Sequence, residues 1–376
     1  MNIPFLNLGE TNRPIEFEIT EAINRVIKSG RYILGNECRS FEINMADNLK
    51  GNGRGFVVGC NSGTDALILS LKAGGIGHGD EVITVSHTAI PTISAIVAVG
   101  AIPVFVDIDA DTWVMDIGKV SSAVTEKTKA IIPVHLYGNM ADVIGLRKLL
   151  DDLGREDIII IEDCAQAQGS ELSNQQAGTF GNFGAFSFYP SKNIGALGDG
   201  GAVFTSNEDS YNKLLMYRNY GQKDRYHAEV IGGINSRLDE IQAAILSVKL
   251  KYLNDWKKFK LHLMNDYRES LADLPIKFQT VTADCVPIWH LCVIELDDNL
   301  NRDEIQERFS DSGLQTLIHY PHPTHLQPAF KNYCREKLPV TEHLAKKILS
   351  LPFSHEFDKD TFAQVVKIIR SVLKSS

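Results

Sequence analysis

Short apolar runs alternate with amphipathic stretches through the first half of the chain. The runs show little alternation of apolar and polar residues, which predicts strands buried on both faces. They are Phe56–Cys60, Glu81–Val85, Pro103–Asp107, Ala130–Val134, Ile158–Ile161 and a run that begins at Phe183. Other stretches carry apolar residues at helical spacing and predict helices at Ile15–Ser29, Phe41–Leu49, Asp65–Ala73, Ala89–Val99, within Val114–Val124 and at Asp142–Leu153. The predicted fold class is therefore α/β, with a mostly parallel central sheet covered by helices.

The pattern becomes more helical after Asp209. Asn235-Ser-Arg-Leu-Asp-Glu240 is expected to start an amphipathic helix, with Ser236 as its N-cap. The lysine-rich stretch Tyr252–Tyr267 predicts a long helix whose charges face solvent. Farther along, the sequence predicts strands at Ile288–Leu296 and Leu314–His319, and helices at Arg302–Ser312 and Asp360–Leu373. We thus predict a large domain over residues 1–250 and a smaller C-terminal α+β domain over residues 251–376.

Polar clusters follow several of the predicted strands. Ligands of open α/β sheets bind beyond the carboxyl ends of the strands, so side chains at these ends are candidates for one site. The clusters are Cys60-Asn-Ser-Gly-Thr64, Ser86-His-Thr88, His135-Leu-Tyr-Gly138, Glu162-Asp-Cys-Ala-Gln166 and Ser187-Phe-Tyr189.

Lys192 lies between an apolar strand and a glycine-rich turn, and it is the only basic residue between Asn182 and Ser206. Burial among aromatic and small residues lowers the pKa of an amine, and the neutral amine attacks carbonyl groups to form a Schiff base. This environment predicts a Schiff-base lysine. The alternative is an ordinary loop lysine at the end of a strand.

The segment Asn61-Ser-Gly-Thr64 joins a predicted strand to a predicted helix through small residues. Backbone N–H groups and hydroxyls at such a helix N-terminus can bind an anion such as phosphate. The alternative is an ordinary N-cap by Ser62 or Thr64. The segment matches neither the Walker loop nor the GxGxxG dinucleotide fingerprint.

Asp163 follows a strand of four consecutive isoleucines. Its carboxylate either caps the next segment or faces a cationic ring nitrogen in the crevice, where it would keep that nitrogen protonated. A pyridinium paired with an aspartate, together with a Schiff-base lysine, is typical of pyridoxal phosphate (PLP) chemistry.

Composition narrows the range of partners. The net charge is −9 and no run rich in Lys or Arg stands out, which argues against nucleic acid. No signal peptide or bilayer-spanning run is evident, so neither a membrane partner nor secretion is predicted. The six cysteines form no CxxC pair, which favours reduced thiols in the cytoplasm.

No metal site is predicted either, because the histidines of His319-Tyr-Pro-His-Pro-Thr-His325 lack a nearby carboxylate or cysteine. We expect this loop to lend polar side chains to a cleft between domains.

The chain resembles the DegT/DnrJ/StrS family of sugar aminotransferases over nearly its whole length. These enzymes have the aspartate-aminotransferase architecture, fold type I. The resemblance rests on many ordered motifs: Gly30-Arg-Tyr-Ile-Leu-Gly35, Asn61-Ser-Gly-Thr-Asp-Ala-Leu67, Gly79-Asp-Glu-Val-Ile83, Pro103-Val-Phe-Val-Asp107, Pro133-Val-His-Leu-Tyr-Gly138, Ile161-Glu-Asp-Cys-Ala-Gln166, Phe186-Ser-Phe-Tyr-Pro-Ser-Lys-Asn193, Gly198-Asp-Gly-Gly201, Asn235-Ser-Arg-Leu-Asp-Glu240 and Ile318-His-Tyr-Pro321.

The resemblance implies a role for each matching residue. Lys192 would bind PLP as a Schiff base and then move the proton between substrate and cofactor. Asp163 would hold the pyridinium nitrogen, and Gln166 would contact the ring hydroxyl. The phosphate would be bound by Gly63, Thr64 and Ser187, and by Asn235 of the neighbouring subunit, which implies a homodimer. Candidates for contact with the sugar nucleotide are Tyr32, Tyr189, His319, Tyr320 and His325.

One position departs from the pattern of many relatives. Ala89 stands where they place an aromatic residue that stacks on the cofactor ring. His87, two residues earlier, is the nearest candidate to cover that face. The alternative is that His87 only orients a loop.

The resemblance implies a transaminase with ping-pong kinetics. An amino acid, expected to be L-glutamate, would donate the amino group, and a nucleotide-linked keto-sugar would accept it. The segments Ser86-His-Thr-Ala89 and Arg218-Asn-Tyr-Gly-Gln222 look most like enzymes that act at C3 of dTDP-3-keto-6-deoxyhexoses, which supply amino sugars for surface polysaccharides or other glycoconjugates. Action at C4, on UDP-, GDP- or dTDP-4-keto sugars, stays open.

A related dehydratase branch has histidine in place of the lysine, so Lys192 favours transamination. A regulatory protein that keeps the fold is disfavoured because the lysine, the aspartate and the phosphate-binding set are all present.

Overall fold

The computed structural model of the protein describes residues 2–49, 55–355 and 357–374. Its helices are α1 (Leu8–Asn12), α2 (Glu16–Ser29), α3 (Asn36–Leu49), α4 (Gly63–Ala73), α5 (Ile90–Ala98), α6 (Val120–Ala123), α7 (Val143–Asp152), α8 (Glu208–Tyr217), α9 (Glu240–Leu250), α10 (Leu253–Ser270), α11 (Arg302–Asp311), α12 (Pro339–Lys347) and α13 (Lys359–Lys374). Its strands are β1 (Phe56–Cys60), β2 (Glu81–Val85), β3 (Ile102–Val106), β4 (Thr128–Ile132), β5 (Ile159–Asp163), β6 (Glu171–Leu172), β7 (Gln175–Gln176), β8 (Phe183–Ser187), β9 (Gly201–Thr205), β10 (Gln222–Asp224), β11 (His227–Ala228), β12 (Ile276–Phe278), β13 (Cys285–Val286), β14 (Cys292–Leu296) and β15 (Ile348–Leu351).

Within these described residues, seven strands form the central sheet in the order β1-β9-β8-β5-β4-β2-β3. Strands β3, β2, β4, β5 and β8 are parallel neighbours, whereas β9 is antiparallel to both β8 and β1. The chain passes from β8 to β9 through a turn-like segment without a helix, whereas parallel neighbours are usually joined by a helical crossover. The predicted α/β class with a mostly parallel sheet is confirmed.

Successive residues of the parallel strands enter opposite cores. Ile83, Ile131 and Ile160 pack on one face of the sheet, and the adjacent Val82, Ile132 and Ile161 pack on the other. Side chains alternate between faces along a strand, so a continuous apolar run places apolar residues on both. This is why the strands could be predicted from the sequence, and it fixes their carboxyl ends at one edge.

One predicted helix start was wrong. The helix expected from Asn235 begins instead at Glu240, with Asp239 as its N-cap residue. Ser236, the predicted N-cap, uses its hydroxyl elsewhere: it accepts from the Asn61 amide at 3.1 Å and donates to Asp65 at 2.7 Å. These bonds tie residue 236 to the turn after β1, and the helix begins four residues later.

Helix α10 confirms the long lysine-rich helix but not its full solvation. Lys257 and Lys260 are both buried. The Lys257 amine donates to Glu171 at 2.7 Å, and the Lys260 amine donates to Asn193 at 2.8 Å. Polar partners at the end of each side chain make this burial tolerable. The expectation that the charges of α10 form only a surface face was therefore wrong.

The C-terminal part contains an antiparallel sheet in the order β12-β14-β15, packed with α11 and α13. The strand expected at Leu314–His319 is absent from the described residues: Leu314 pairs only with Ile3, and Leu317 only with Ser350. Single bridges to two different partners do not make a ladder. The division between residues 250 and 251 stays a prediction. No helix in the described ranges has the length and apolarity needed to cross a bilayer.

Candidate active site

Asp163 ends β5 as a buried acid with two hydrogen-bond donors. The Thr92 hydroxyl donates to Oδ2 at 2.9 Å, and the Ala165 amide donates to Oδ1 at 3.1 Å. Burial raises the pKa of Asp163, although these bonds and the positive charge of Lys192 act in the opposite direction. A cation placed against this carboxylate would offset the cost of burying it.

Lys192 follows β8 in a turn closed by a bond from its own amide to the carbonyl of Tyr189, at 2.8 Å. Burial lowers the pKa of its amine to about 8, and the negative charge of Asp163 opposes that shift. Its side-chain nitrogen has no hydrogen-bond acceptor among the residues that the structure describes. The site thus holds a lysine that is partly neutral at physiological pH, near a buried carboxylate.

The N-terminus of α4 is open for an anion. The Ser62 side chain caps the helix by accepting from the Asp65 amide at 3.1 Å. Within the described ranges, the amides of Gly63 and Thr64 and the Thr64 hydroxyl have no protein partner. A Cβ added at Gly63 would lie 2.5 Å from the Cβ of Ser187. Glycine at this position lets the helix start pack against the end of β8, which brings Gly63, Thr64 and Ser187 together.

Gln166 links three loops of the site. Its Oε1 accepts from the Tyr137 amide at 2.7 Å, and its Nε2 donates to the Tyr320 hydroxyl at 3.0 Å. The Tyr137 hydroxyl in turn contacts His87 Nε2 at 2.9 Å and the carbonyl of His319. Burial lowers the pKa of His87 to about 4 and raises the pKa of Tyr320 to about 12. Both side chains are therefore neutral at physiological pH.

The remaining predicted residues lie at different depths. Tyr189 is 54% exposed and Tyr32 is 50% exposed, while Asn235 is exposed and forms a single bridge with Asn219. His319 is half-buried and shares a 2.8 Å hydrogen bond with Ser350.

His325 is buried, and both of its ring nitrogens face protein groups. They contact the Ser86 hydroxyl at 2.6 Å and the Glu342 carboxylate at 3.4 Å. Neither ring nitrogen is left facing a ligand directly.

Two contacts of the site were missed in the sequence. Thr92 holds Asp163, and Tyr137 joins His87 to Gln166. Thr92 is a polar residue on the buried side of the apolar helix α5. A buried hydroxyl needs a hydrogen-bond partner, so this position in the sequence could have predicted a polar contact. Tyr137 stood in a strand-end cluster without an assigned role.

His135, Glu162 and Cys164 form the one group among the described residues whose side chains could jointly hold a metal ion. Glu162 already accepts hydrogen bonds from the amides of Gly178, Phe180 and Gly181, and it pairs with His135 at 2.9 Å. A carboxylate with four donors is accounted for by the loop it holds. We read this trio as a structural support for the loop before β8.

The donor set fits PLP. Lys192 offers an amine of lowered pKa, Asp163 offers a buried carboxylate for a ring nitrogen, and the first turn of α4 offers unpaired N–H groups for a phosphate.

Comparisons with known proteins agree with this geometry. Residues 14–370 match the sequence profile of the DegT/DnrJ/EryC1/StrS aminotransferase family. The chain is 41% identical over 371 residues to the dTDP-3-amino-3,4,6-trideoxy-alpha-D-glucose transaminase of Streptomyces venezuelae, with 98% of this chain and 95% of that protein covered. The crystal structure of S. venezuelae DesV has a TM-score of 0.93 at 40% identity and covers 98% of each chain. NtdA from Bacillus subtilis, solved with the bound cofactor PMP, has a TM-score of 0.91 at 30% identity over 99% of this chain and 85% of that chain.

Proposed function

The chain belongs to the DegT/DnrJ/EryC1/StrS aminotransferase family, and from this premise we propose that it transfers an amino group from L-glutamate to C3 of a dTDP-3-keto-6-deoxyhexose. It is a PLP-dependent sugar aminotransferase. The observation that carries the proposal is the joint presence of a lysine of lowered pKa, Lys192, and a buried acid, Asp163, at the carboxyl edge of the sheet.

The cofactor-binding roles follow from the chemistry of each side chain. Lys192 would hold PLP covalently, and Asp163 would pair with its ring nitrogen. Gln166 would contact the ring hydroxyl, and His87 would cover one face of the ring. The phosphate would accept hydrogen bonds from the unpaired donors of Gly63, Thr64 and Ser187. Asn235 of a second subunit would also contact it.

When bound, PLP supplies an electron sink that stabilises negative charge on the carbon losing a proton. The protein's part is to place an acid and a base at the correct atoms. Lys192 is suited to carry the proton because a pKa of about 8 lets its amine both accept and release a proton at neutral pH. Burial raises the pKa of Asp163, and a cation that faces its carboxylate would favour the charged form, so the pairing would favour the protonated form of the ring nitrogen.

The substrate contacts are proposed from position. Tyr189 and His319 line the same cleft as Lys192, and Tyr320 is held beside them through Gln166. Tyr32 is an exposed residue available to a neighbouring subunit. His325 would act on the sugar nucleotide only through Ser86, whose hydroxyl it contacts.

We also infer a homodimer that works in the cytoplasm and supplies amino sugars for lipopolysaccharide or another glycoconjugate. The homodimer is inferred because the family resemblance places Asn235 of one subunit at the phosphate of the other, and Asn235 is exposed. The cysteines, all free in the described structure, favour a reducing compartment.

An absorption titration tests the proposal directly. Purified protein reconstituted with PLP should show a visible band that L-glutamate removes, with 2-oxoglutarate released in equal amount. A panel of dTDP-, UDP- and GDP-linked 3-keto and 4-keto sugars should restore the band, and the dTDP-3-keto-6-deoxyhexoses should do so most rapidly. A band that no keto-sugar restores would refute the acceptor, and no band at all would point to a regulatory protein that keeps the fold.

A further inference from the structure

Tyr137 is a fully buried residue of the site whose backbone is strained. Its φ is 61°, in the left-handed region that residues with a side chain seldom adopt. The next residue, Gly138, has a φ of 101°, and a Cβ there would lie 2.7 Å from the backbone nitrogen of Trp289. The His290 amide donates to the Tyr137 carbonyl at 2.7 Å. Strain of this kind persists only where the surroundings impose it, and it is concentrated at functional sites.

The Tyr137 hydroxyl has two partners but only one proton. It contacts the carbonyl oxygen of His319 and, at 2.9 Å, Nε2 of His87. A carbonyl oxygen can only accept, so the proton of the hydroxyl points to His319. The hydroxyl oxygen then accepts from His87, which requires a proton on Nε2. If the hydroxyl donated to His87 instead, two oxygens would face each other without a proton between them, and the buried carbonyl would lose its donor.

This proton assignment leaves the other ring nitrogen of His87 as an acceptor. Burial lowers the pKa of His87 to about 4, so the ring is neutral and carries a single N–H. With that hydrogen on Nε2, Nδ1 keeps a lone pair. Among the residues that the structure describes, no hydrogen bond involves Nδ1 of His87. His87 therefore offers a polar edge to a ligand in addition to the face of its ring.

The backbone amide of Tyr137 orients a second side chain. It donates to Gln166 at 2.7 Å, and because an N–H can only donate, the atom that faces it is the side-chain oxygen of Gln166. Nε2 is then the free end of Gln166, and one of its two hydrogens goes to the Tyr320 hydroxyl at 3.0 Å. The second hydrogen of Nε2 stays available as a donor.

We propose that Tyr137 is a positioning residue that fixes which atoms of the site donate and which accept: its hydroxyl holds His87 as the Nε2–H tautomer, and its amide holds Gln166 with Nε2 as the free end. His87 thereby presents an acceptor for an O–H or N–H of a ligand, and Gln166 presents a donor for a ligand oxygen. The ligands in question are the cofactor and substrates, so the proposal rests on the proposed function. All of these contacts lie within the protein, so the pattern is set before a ligand binds.

Nitrogen NMR spectroscopy of the cofactor-free enzyme, with the histidines labelled at both ring nitrogens, tests the tautomer without turnover. The signals of His87 are those missing from the spectrum of His87→Gln, or of His87→Asn should the first variant not fold. In the wild type at neutral pH, Nε2 should have the chemical shift of a protonated nitrogen and Nδ1 that of an unprotonated one. In Tyr137→Phe the Nε2 proton loses its acceptor, so the two shifts should approach each other as the tautomers mix.

Tyr267→Phe is the matched control. Tyr267 is also fully buried, and its hydroxyl donates to the carbonyl of Pro352 at 2.7 Å in the core of the C-terminal part. The control should lower the melting temperature about as much as Tyr137→Phe does, yet leave the shifts of His87 unchanged. The affinity for PLP, measured by absorption titration, should fall about five-fold in Tyr137→Phe and stay constant in Tyr267→Phe.

Gln166→Glu tests the second contact. A carboxylate oxygen can still accept from the Tyr137 amide, but an ionised carboxylate has no hydrogen to donate. The affinity for PLP should therefore fall about ten-fold or more, although the bond to Tyr137 is kept. Unchanged affinity in this variant would contradict the donor role of Gln166.

A wild-type spectrum with the proton of His87 on Nδ1 would overturn the proposal, and so would identical His87 shifts in the wild type and Tyr137→Phe. These measurements require no keto-sugar. An enzyme that shows the expected tautomer and binds PLP but aminates no keto-sugar would instead refute the proposed function and support the role of Tyr137.

Discussion

The Thr92 hydroxyl donates a 2.9 Å hydrogen bond to Oδ2 of Asp163, and the Thr88 hydroxyl lies 2.8 Å behind it. This chain joins the first turn of α5 to the end of β5. It orients a buried carboxylate and favours its charged form, since a hydrogen bond donated to a carboxylate lowers its pKa.

Thr92→Val should therefore weaken the binding of PLP without disturbing the fold. Valine has nearly the same shape, but the lost hydroxyl leaves Asp163 with a higher pKa and a weaker hold on a ring nitrogen. We expect PLP affinity to fall about ten-fold, the usual cost of a lost bond to a charged group. Absorption titration with PLP measures this, and Ser94→Ala on the same helix is the control. Unaltered affinity would mean that Thr92 only supports packing.

Asp163→Asn should separate stability from activity. A carboxyl whose folded pKa is raised is bound to a proton more often in the folded state, so cofactor-free protein loses stability as pH rises above the ordinary aspartate range. The amide cannot ionise, so the cofactor-free variant should melt at a higher temperature than the wild type at neutral pH. Turnover should nonetheless fall about a hundred-fold or more, because the ring nitrogen loses its anion. Thermal melts across pH 4 to about 8 and glutamate assays give the two results.

PLP uptake by the cofactor-free enzyme should accelerate with pH. The neutral amine is the nucleophile, and the pKa of Lys192 is about 8, so the neutral fraction grows through that value. The rate of appearance of the visible band should reach half its plateau near this pH. Lys192→Ala should form no band, and full turnover in that variant would refute the mechanism.

Gly63→Ala should weaken the binding of the cofactor's phosphate and leave the contacts to its ring unchanged. The new Cβ would lie 2.5 Å from the Cβ of Ser187, so the first turn of α4 must move away from β8. We expect PLP affinity to fall about ten-fold or more, since the helix N-terminus no longer faces the anion. Pyridoxal, which lacks the phosphate, should bind the variant and the wild type equally. Equal loss for both ligands would show a general defect of the site.

Mixing two inactive variants tests the shared active site. If Asn235 serves the neighbouring subunit, a dimer of Lys192→Ala and Asn235→Ala chains contains one site with both defects and one with neither. Random exchange should then restore about a quarter of wild-type turnover, given the two-fold symmetry of a closed dimer. Ultracentrifugation establishes the dimer itself. A fully active monomer, or no restoration after exchange, would show that Asn235 does not act across an interface.

The sequence by itself determined six of the seven strands of the central sheet and the edge at which the site lies, whereas β9 (Gly201–Thr205) was not predicted. Runs such as Ile158–Ile161 are apolar on both faces, and only a strand buried between two layers accommodates that pattern. The same pattern marks where each strand ends, and it thereby places Asp163, Lys192 and the start of α4 at the carboxyl edge.

Only the tertiary structure decided which distant groups complete these residues. Thr92 reaches Asp163 across 71 positions, and Ser236 leaves its expected cap to bond Asn61 and Asp65. Lys260 looked like part of a solvated helix, yet folding buries it against Asn193. Local spacing in the sequence indicates helices, strands and their caps. Contacts between residues far apart in the sequence depend on which segments lie together in the folded protein, and packing of the whole core determines that arrangement.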